Sequence, residues 1–226
     1  MLELKNVARD FINNKKEQVA ALTDINLKVE KGEFLSIVGP SGSGKSTLLF
    51  IIGALLNPSE GEVLLNGKNM YDTTPSYRAG LRLREIGFVF QTFNLIPYLS
   101  ALDNVSVPAM LTIKSRKKAN ERASELLQRF GLGARLEHNF SELSVGERQR
   151  VALCRSVINN PDIILADEPT GNLDPAMTRE VMSLFKELNS SGHTVIIVTH
   201  EEEVAAYAQK VLHLQNGKFT NGTNNR

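Results

Sequence analysis

The chain has 226 residues, 26 basic against 25 acidic for a formal charge of +1, with 42% hydrophobic and 23% charged residues. That is enough apolar material for one large domain or two small ones, and a charge so near zero gives no electrostatic case for nucleic acid as a partner. One cysteine, Cys154, excludes an internal disulfide framework and suits a reducing cytoplasm.

No stretch reaches the ~20 apolar residues of a membrane span, and Met1 to Lys5 alternates like a strand, unlike a signal peptide. A membrane role is therefore expected to come through a partner chain.

In chain order, residues 2–7 and 25–29 read as alternating strands joined by a polar segment rich in Asn and Lys (13–18). Glu33 to Val38 is an apolar strand running into a glycine-rich loop, followed by a helix over about Lys45 to Leu56 that is apolar nearly all round and stopped by Asn57-Pro58. Glu62 to Leu65 and Ile86 to Phe90 are short strands, the second ending at Gln91.

From about 95 to 160 the character turns helical. Ala119, Ala123, Leu126, Leu127 and Phe130 recur at helical spacing before Gly131, and a second helix spans Val145 to Ile158. The basic residues Lys114, Arg116, Lys117 and Lys118 read as a solvated helix start, and Cys154 falls on an apolar stripe as a small hydrophobe. Buried strands return at Asp162 to Ala166 and Thr194 to Thr199, a last helix carries Val204, Ala205 and Ala208, and Thr220 to Arg226 is a polar tail expected to fray. Strands alternating with helices, with a helical block between, predict an α/β fold with a helical subdomain at about 95–160 inserted in a single domain of 1–226.

The chemistry starts at Gly39-Pro40-Ser41-Gly42-Ser43-Gly44-Lys45-Ser46-Thr47, which fits G-x-x-x-x-G-K-[ST]. Glycines let successive backbone N–H groups turn toward phosphate oxygens, the helix adds its positive end, Lys45 reaches the outer phosphates, and Ser46 can ligate Mg²⁺. A plain glycine-rich turn is the competing reading, but the preceding apolar strand and following helix argue for ATP or GTP. Ile163 to Ala166 then delivers Asp167 and Glu168 to a strand end, with Pro169 behind them. Asp167 would hold Mg²⁺, and Glu168 would polarise the attacking water at the γ-phosphate. Ser144-Val145-Gly146-Glu147 is a capping box that also offers a hydroxyl, N–H groups and a helix N-terminus to an anion. A second phosphate-seeking helix end makes sense if it serves a neighbouring copy's nucleotide.

Gly39–Thr47, Gln91, Leu143–Glu147, Ile163–Glu168, Asn172-Leu173-Asp174 and His200 stand in the order and spacing of the ATP-binding-cassette ATPases, and the chain resembles that family over essentially its whole length. The resemblance implies an α/β fold with a P-loop NTPase core, a mostly parallel sheet with an antiparallel β part. It also implies a head-to-tail homodimer with two ATP molecules, each between one subunit's phosphate loop and the other's signature segment, where Ser144 and Gly146 contact phosphate. It makes Gln91 the residue that senses Mg²⁺ and water, His200 the γ-phosphate switch, Asp174 part of the segment that speaks across the dimer, and Phe11 the ring that stacks on adenine in place of the usual tyrosine. The signature departs from the usual L-S-G-G-Q at Val145 and Glu147. Glu147 puts a negative charge near phosphate, for which Arg148 or Arg150 is the expected compensation; catalysis is expected to survive, with weaker nucleotide-driven dimerisation.

Val38 to Thr47, Phe88 to Pro97 and Leu165 to Asp174 resemble the lipoprotein-releasing and macrolide-exporting (LolD/MacB-type) branch, with Asn94 to Val107 where a membrane subunit docks. That implies an ATPase peripheral to the cytoplasmic face of the inner membrane, powering an integral membrane permease on a separate chain, with no nucleic acid partner. A cell-division ATPase of similar length and a non-transport regulatory module remain as alternatives.

Overall fold

The computed structural model describes residues 1–12 and 16–220; residues 13–15 of the predicted polar connector and 221–226 of the predicted fraying tail lie outside it. Strands β3 (Phe34–Val38), β7 (Ile163–Asp167) and β8 (Thr194–Thr199) are the near-continuous apolar runs. Such runs are apolar on both faces, which suits the middle of a parallel sheet covered on both sides. They lie there: with β6 (Ile86–Phe90), β9 (Lys210–Gln215) and β10 (Lys218–Thr220) they form a six-stranded sheet ordered β10-β9-β3-β8-β7-β6, parallel except for the β9–β10 hairpin.

A second, antiparallel sheet has the order β2-β1-β4-β5, from β1 (Leu2–Ile12), β2 (Gln18–Val29), β4 (Glu60–Leu65) and β5 (Lys68–Asn69). β1 and β2 run further than the alternation predicts. Register shifts between Leu4 and Val7, Val7 and Arg9, and Arg9 and Asp10 break the two-residue period without ending the pairing.

The helix after the glycine-rich loop, α1, spans Lys45–Ile52 rather than reaching Leu56. It stops at Gly53, where a Cβ would stand 2.0 Å from the Phe88 ring, and Ala54 follows at φ 55. α2 (Pro75–Arg84), opened by Thr74 and Pro75, was not anticipated.

In the middle of the chain stand α3 (Ala101–Met110), α4 (Arg116–Arg129) and α5 (Val145–Val157), with 3₁₀ turns at Gly133–Arg135 and Phe140–Glu142. Ser100, Ser115 and Ser144 cap the three helices, each hydroxyl accepting an N–H from the first turn. α6 (Pro175–Ser190) was also missed; its Val181, Met182, Phe185 and Leu188 are buried at helical spacing. The last helix, α7, is only Glu202–Ala205, and β9 and β10 after it were not foreseen.

The six-stranded sheet divides two cores. One face carries Leu35, Ile37, Ile163, Leu165, Ile196 and Val198 against α1 and the antiparallel sheet. The other carries Phe34, Val89, Ile164, Ala166, Val195 and Ile197 against α3 to α6. Alternate residues of each strand thus supply opposite cores. Cys154 is fully buried in the second core, and burial drives its thiol pKa upward, so it packs as an inert small hydrophobe.

Candidate active site

The carboxyl ends of β3, β6, β7 and β8 meet at one edge of the parallel sheet, where open α/β sheets gather their ligands. Residues 39–44 link β3 to α1. Gly44 adopts φ 104, and a Cβ there would lie 2.6 Å from the Ala21 carbonyl oxygen, so both the turn and the close approach require glycine. Lys45 is 5% exposed, its ammonium donating to the carbonyls of Gly39 (2.7 Å) and Pro40 (3.1 Å). The buried Ser43 hydroxyl has no protein partner, leaving a polar group inside the loop that an oxyanion would satisfy.

Ser46 Oγ donates to Asp167 Oδ1 at 2.9 Å, joining the start of α1 to the end of β7. Burial raises the Asp167 pKa; its bond from Ser46 opposes this, the neighbouring Glu168 charge adds to it, and Lys45 opposes it. Glu168 follows at φ 44, a left-handed conformation costly for a side chain of this kind. Its N–H donates to Val198 O, and its own carbonyl accepts from Gly171 N, which holds the turn. Its carboxylate lies 2.8 Å from His200 Nδ1 and 3.9 Å from Lys45 Nζ.

Pro40, Ser41, Ser46, Gln91, Asp167, Glu168 and His200 line one cavity of about 410 Å³. Ser41, Gly42, Gly44, Lys45, Ser46 and Thr47 line an adjoining one of about 210 Å³ with Ala21 and Glu168. Residues 40–42, 44–47, 91, 167, 168 and 200 are thereby brought together from segments up to 160 positions apart. Gly39 stands at the loop's entrance, where a Cβ would meet Leu214 O at 2.1 Å.

The other predicted residues lie elsewhere. Ser144 and Gly146 open α5, where Ser144 Oγ accepts from Glu147 N (3.3 Å) and Glu147 Oε2 accepts from Ser144 N (2.8 Å), closing the capping box. Gly146 is buried against Met177, whose Sδ would stand 3.1 Å from an added Cβ. Asp174 caps α6, accepting from Ala176 N (2.8 Å) and Met177 N (2.9 Å). Phe11, 40% exposed, lines neither cavity and carries the Arg9 guanidinium 4.7 Å above its ring.

The arginine that answers Glu147 is not one of the two expected. Arg148 donates to Phe140 O and lies over the Phe140 ring, while Arg150 pairs with Glu180 of α6. Arg135, from the 3₁₀ turn before α5, places Nε 2.7 Å from Glu147 Oε1. Chiefly through that bond it holds the Glu147 carboxyl down at about 2.

Three residues support the site in ways the sequence did not display, although Asn172 lies within the Asn172-Leu173-Asp174 motif. Asn172 Nδ2 donates to the Gln91 carbonyl at 3.0 Å. The buried Asn104 side chain accepts from Ile96 N and donates to the carbonyls of Ile96, Leu99 and Ser100. Arg155 donates to the carbonyls of Phe93 and Asn94. All three grip backbone atoms, which no residue-type pattern displays.

The profile of the ABC transporter family matches residues 22–171. The chain is 47% identical over 219 residues to MJ1508 of Methanocaldococcus jannaschii, an uncharacterized ABC transporter ATP-binding protein, covering 97% of each. It is 45% identical to SyfD of Pseudomonas syringae, a probable syringafactin export ATP-binding/permease protein, and 44% identical to the macrolide export ATP-binding/permease protein MacB of Haemophilus ducreyi. Those matches take in 97% and 100% of the chain but only 33% and 32% of the two larger proteins, so the chain spans about a third of their length. Among solved structures it superposes on the MJ0796 cassette, seen as a dimer in a post-hydrolysis state with ADP and Pi, at a TM-score of 0.92 and 41% identity, covering 100% of this chain and 98% of that one. With the phosphate loop, Asp167, Glu168 and His200 at one sheet edge and a family match over most of its length, the chain belongs to the ABC transporter family, as an ATPase cassette.

Proposed function

We propose that two copies of this chain close head to tail around two ATP molecules and drive an integral membrane permease carried on a separate polypeptide, in the manner of the LolD/MacB-type exporters and lipoprotein releasers. The observation that carries the reading is the Glu168 carboxylate, held between His200 Nδ1 at 2.8 Å and Lys45 Nζ at 3.9 Å on the wall of a cavity that also contains Ser46, Gln91 and Asp167. A carboxylate there accepts a proton from water as that water attacks the γ-phosphate in line. Lys45 exchanges its two loop carbonyls for phosphate oxygens, and the loop N–H groups with the start of α1 take the remaining charge. His200, whose Nδ1 lies 2.8 Å from Glu168, orients the base and reaches the terminal phosphate. Ser144 and Gly146 supply the N-terminus of α5 to the partner's nucleotide, Asp174 starts the helix beside that face, and Phe11 offers its exposed ring to adenine.

The oxygen donors fit a magnesium ion. Ser46 Oγ and Asp167 Oδ1 are hard ligands 2.9 Å apart, and Gln91 lines the same cavity. Among the described residues no group of three or more His, Cys, Asp or Glu side chains forms an all-protein cage, which suits an ion that binds through one or two protein oxygens, water and phosphate. When bound, the ion would neutralise charge on the phosphates. Among the described residues no helix is long and apolar enough to cross a membrane. The proposed place is peripheral, at the cytoplasmic face of the inner membrane, with Asn94 to Val107 against the permease.

The experiment is Glu168→Gln with ATP, read by size exclusion and phosphate release. A trapped dimer without turnover is expected; a strictly monomeric variant at saturating ATP would count against the sandwich. Lys45→Ala is the control, and its rate should fall to background.

A further inference from the structure

Helix α5 begins at the segment proposed to face the partner's nucleotide, and its far half grips the backbone behind Gln91. Arg155 lies eleven residues beyond Ser144, about 16 Å along the helix. Its Nη1 donates to Asn94 O at 2.5 Å and its Nη2 to Phe93 O at 2.7 Å. One turn on, Asn159 Nδ2 donates to Leu83 O (2.9 Å) and Pro108 O (3.1 Å). Arg155 and Asn159 share the wall of a cavity of about 320 Å³ with Phe90, Asn94 and Pro108.

The gripped residues are unusual. Phe93 and Asn94 are consecutive and both left-handed, at φ 61 and 48, and Phe93 is buried. A bulky residue holds such a conformation only where its surroundings over-determine it. Phe93 N closes a turn onto Phe90 O at 3.0 Å, so Gln91 lies inside that turn, with its own carbonyl taken by Asn172. A planar guanidinium is suited to bridging two adjacent carbonyls with charge-assisted bonds; an ammonium is not.

Resting on the proposed function, we infer that Arg155 is a positioning residue for hydrolysis: it fixes the Phe90–Asn94 turn to α5, so that Gln91 and the Ser144–Gly146 segment advance on their two nucleotides as one rigid piece. Arg155 acts on the reaction through Gln91 and touches neither nucleotide.

The test is a double-mutant cycle on steady-state ATP hydrolysis by the full chain, with Arg155→Gln, Gln91→Ala and the pair. Arg155→Gln is expected to lower kcat about 10-fold with KM for ATP unchanged, and to add nothing further in the Gln91→Ala background. Losses that multiply, or an unchanged kcat in Arg155→Gln, overturn the inference. Should Arg155→Gln fail to fold, Arg155→Lys takes its place in the cycle; a lowered kcat with unchanged KM and thermal midpoint supports the inference, and a change in KM alone overturns it. An unsubstituted chain without Lys45-dependent hydrolysis would instead refute the proposed function, and that result is visible before any Arg155 variant is made.

Discussion

Arg135 and Glu147 are joined at 2.7 Å beside the capping box of α5, so the acid in the signature segment carries its own counter-charge. The pair occupies both Glu147 oxygens, one on Arg135 and one on the Ser144 N–H. In the proposed sandwich, removing the arginine leaves the Glu147 charge without its cation beside the partner's phosphates. In a Glu168→Gln background, Arg135→Ala is expected to weaken the ATP-driven dimer roughly 10-fold, about 1.4 kcal/mol. Adding Glu147→Gln should restore it. Sedimentation with ATP measures both; an unaltered dimer constant in Arg135→Ala would detach the pair from the interface.

The same carboxyl gives a pH signature. Its pKa falls from an ordinary 4.5 to about 2 in the fold. A depressed acid stabilises above its unfolded pKa, and that contribution disappears as pH falls through the folded value. Glu147→Gln should therefore lower the thermal midpoint at pH 7, and the gap to the parent protein should narrow from pH 4.5 toward pH 2. Thermal scans across that range check it.

Asp167 has the opposite sign. Its pKa is raised, above all by burial, so the folded protein binds that proton more tightly than the unfolded chain. Stability then drops as pH rises past the ordinary carboxylate range. Asp167→Asn should raise the midpoint of the nucleotide-free protein at pH 7 to 8 while cutting hydrolysis by about 100-fold or more, a trade of activity for stability. A lower midpoint would mean that the charge itself holds the apo site together.

Val145 is the first residue of α5 and 37% exposed. Val145→Gly should cost about 1 kcal/mol, or ~2–4 °C in midpoint, from backbone entropy. If the proposed sandwich holds, removing its bulk should tighten ATP-driven association. If dimer affinity does not move, the side chain is no obstacle.

Sequence patterns revealed what local chemistry writes into residue types. The strand-loop-helix at 34–52 was legible because glycines, lysine and an apolar run must sit side by side to hold phosphate. α6 was not legible from Asp174, which stands in the family motif and also caps its own helix, with the buried stripe of Val181, Met182, Phe185 and Leu188 behind it. The end of α1 was hidden too, because the Phe88 ring that demands Gly53 arrives from a strand 35 positions away. Arg135 likewise reaches Glu147 from outside its helix, from a 3₁₀ turn twelve positions earlier. Contacts to backbone carbonyls, such as those of Arg155 and Asn104, leave no periodic trace at all.

Lys45 rests on two carbonyls of its own loop, and that loop is braced from outside by Gly217 N donating to Ser43 O at 3.0 Å. The loop is a mould cast in advance, and capture of ATP is an exchange of lysine partners with little chain to freeze. Association should then run near the encounter rate, and discrimination among nucleotides should reside in how fast each one leaves.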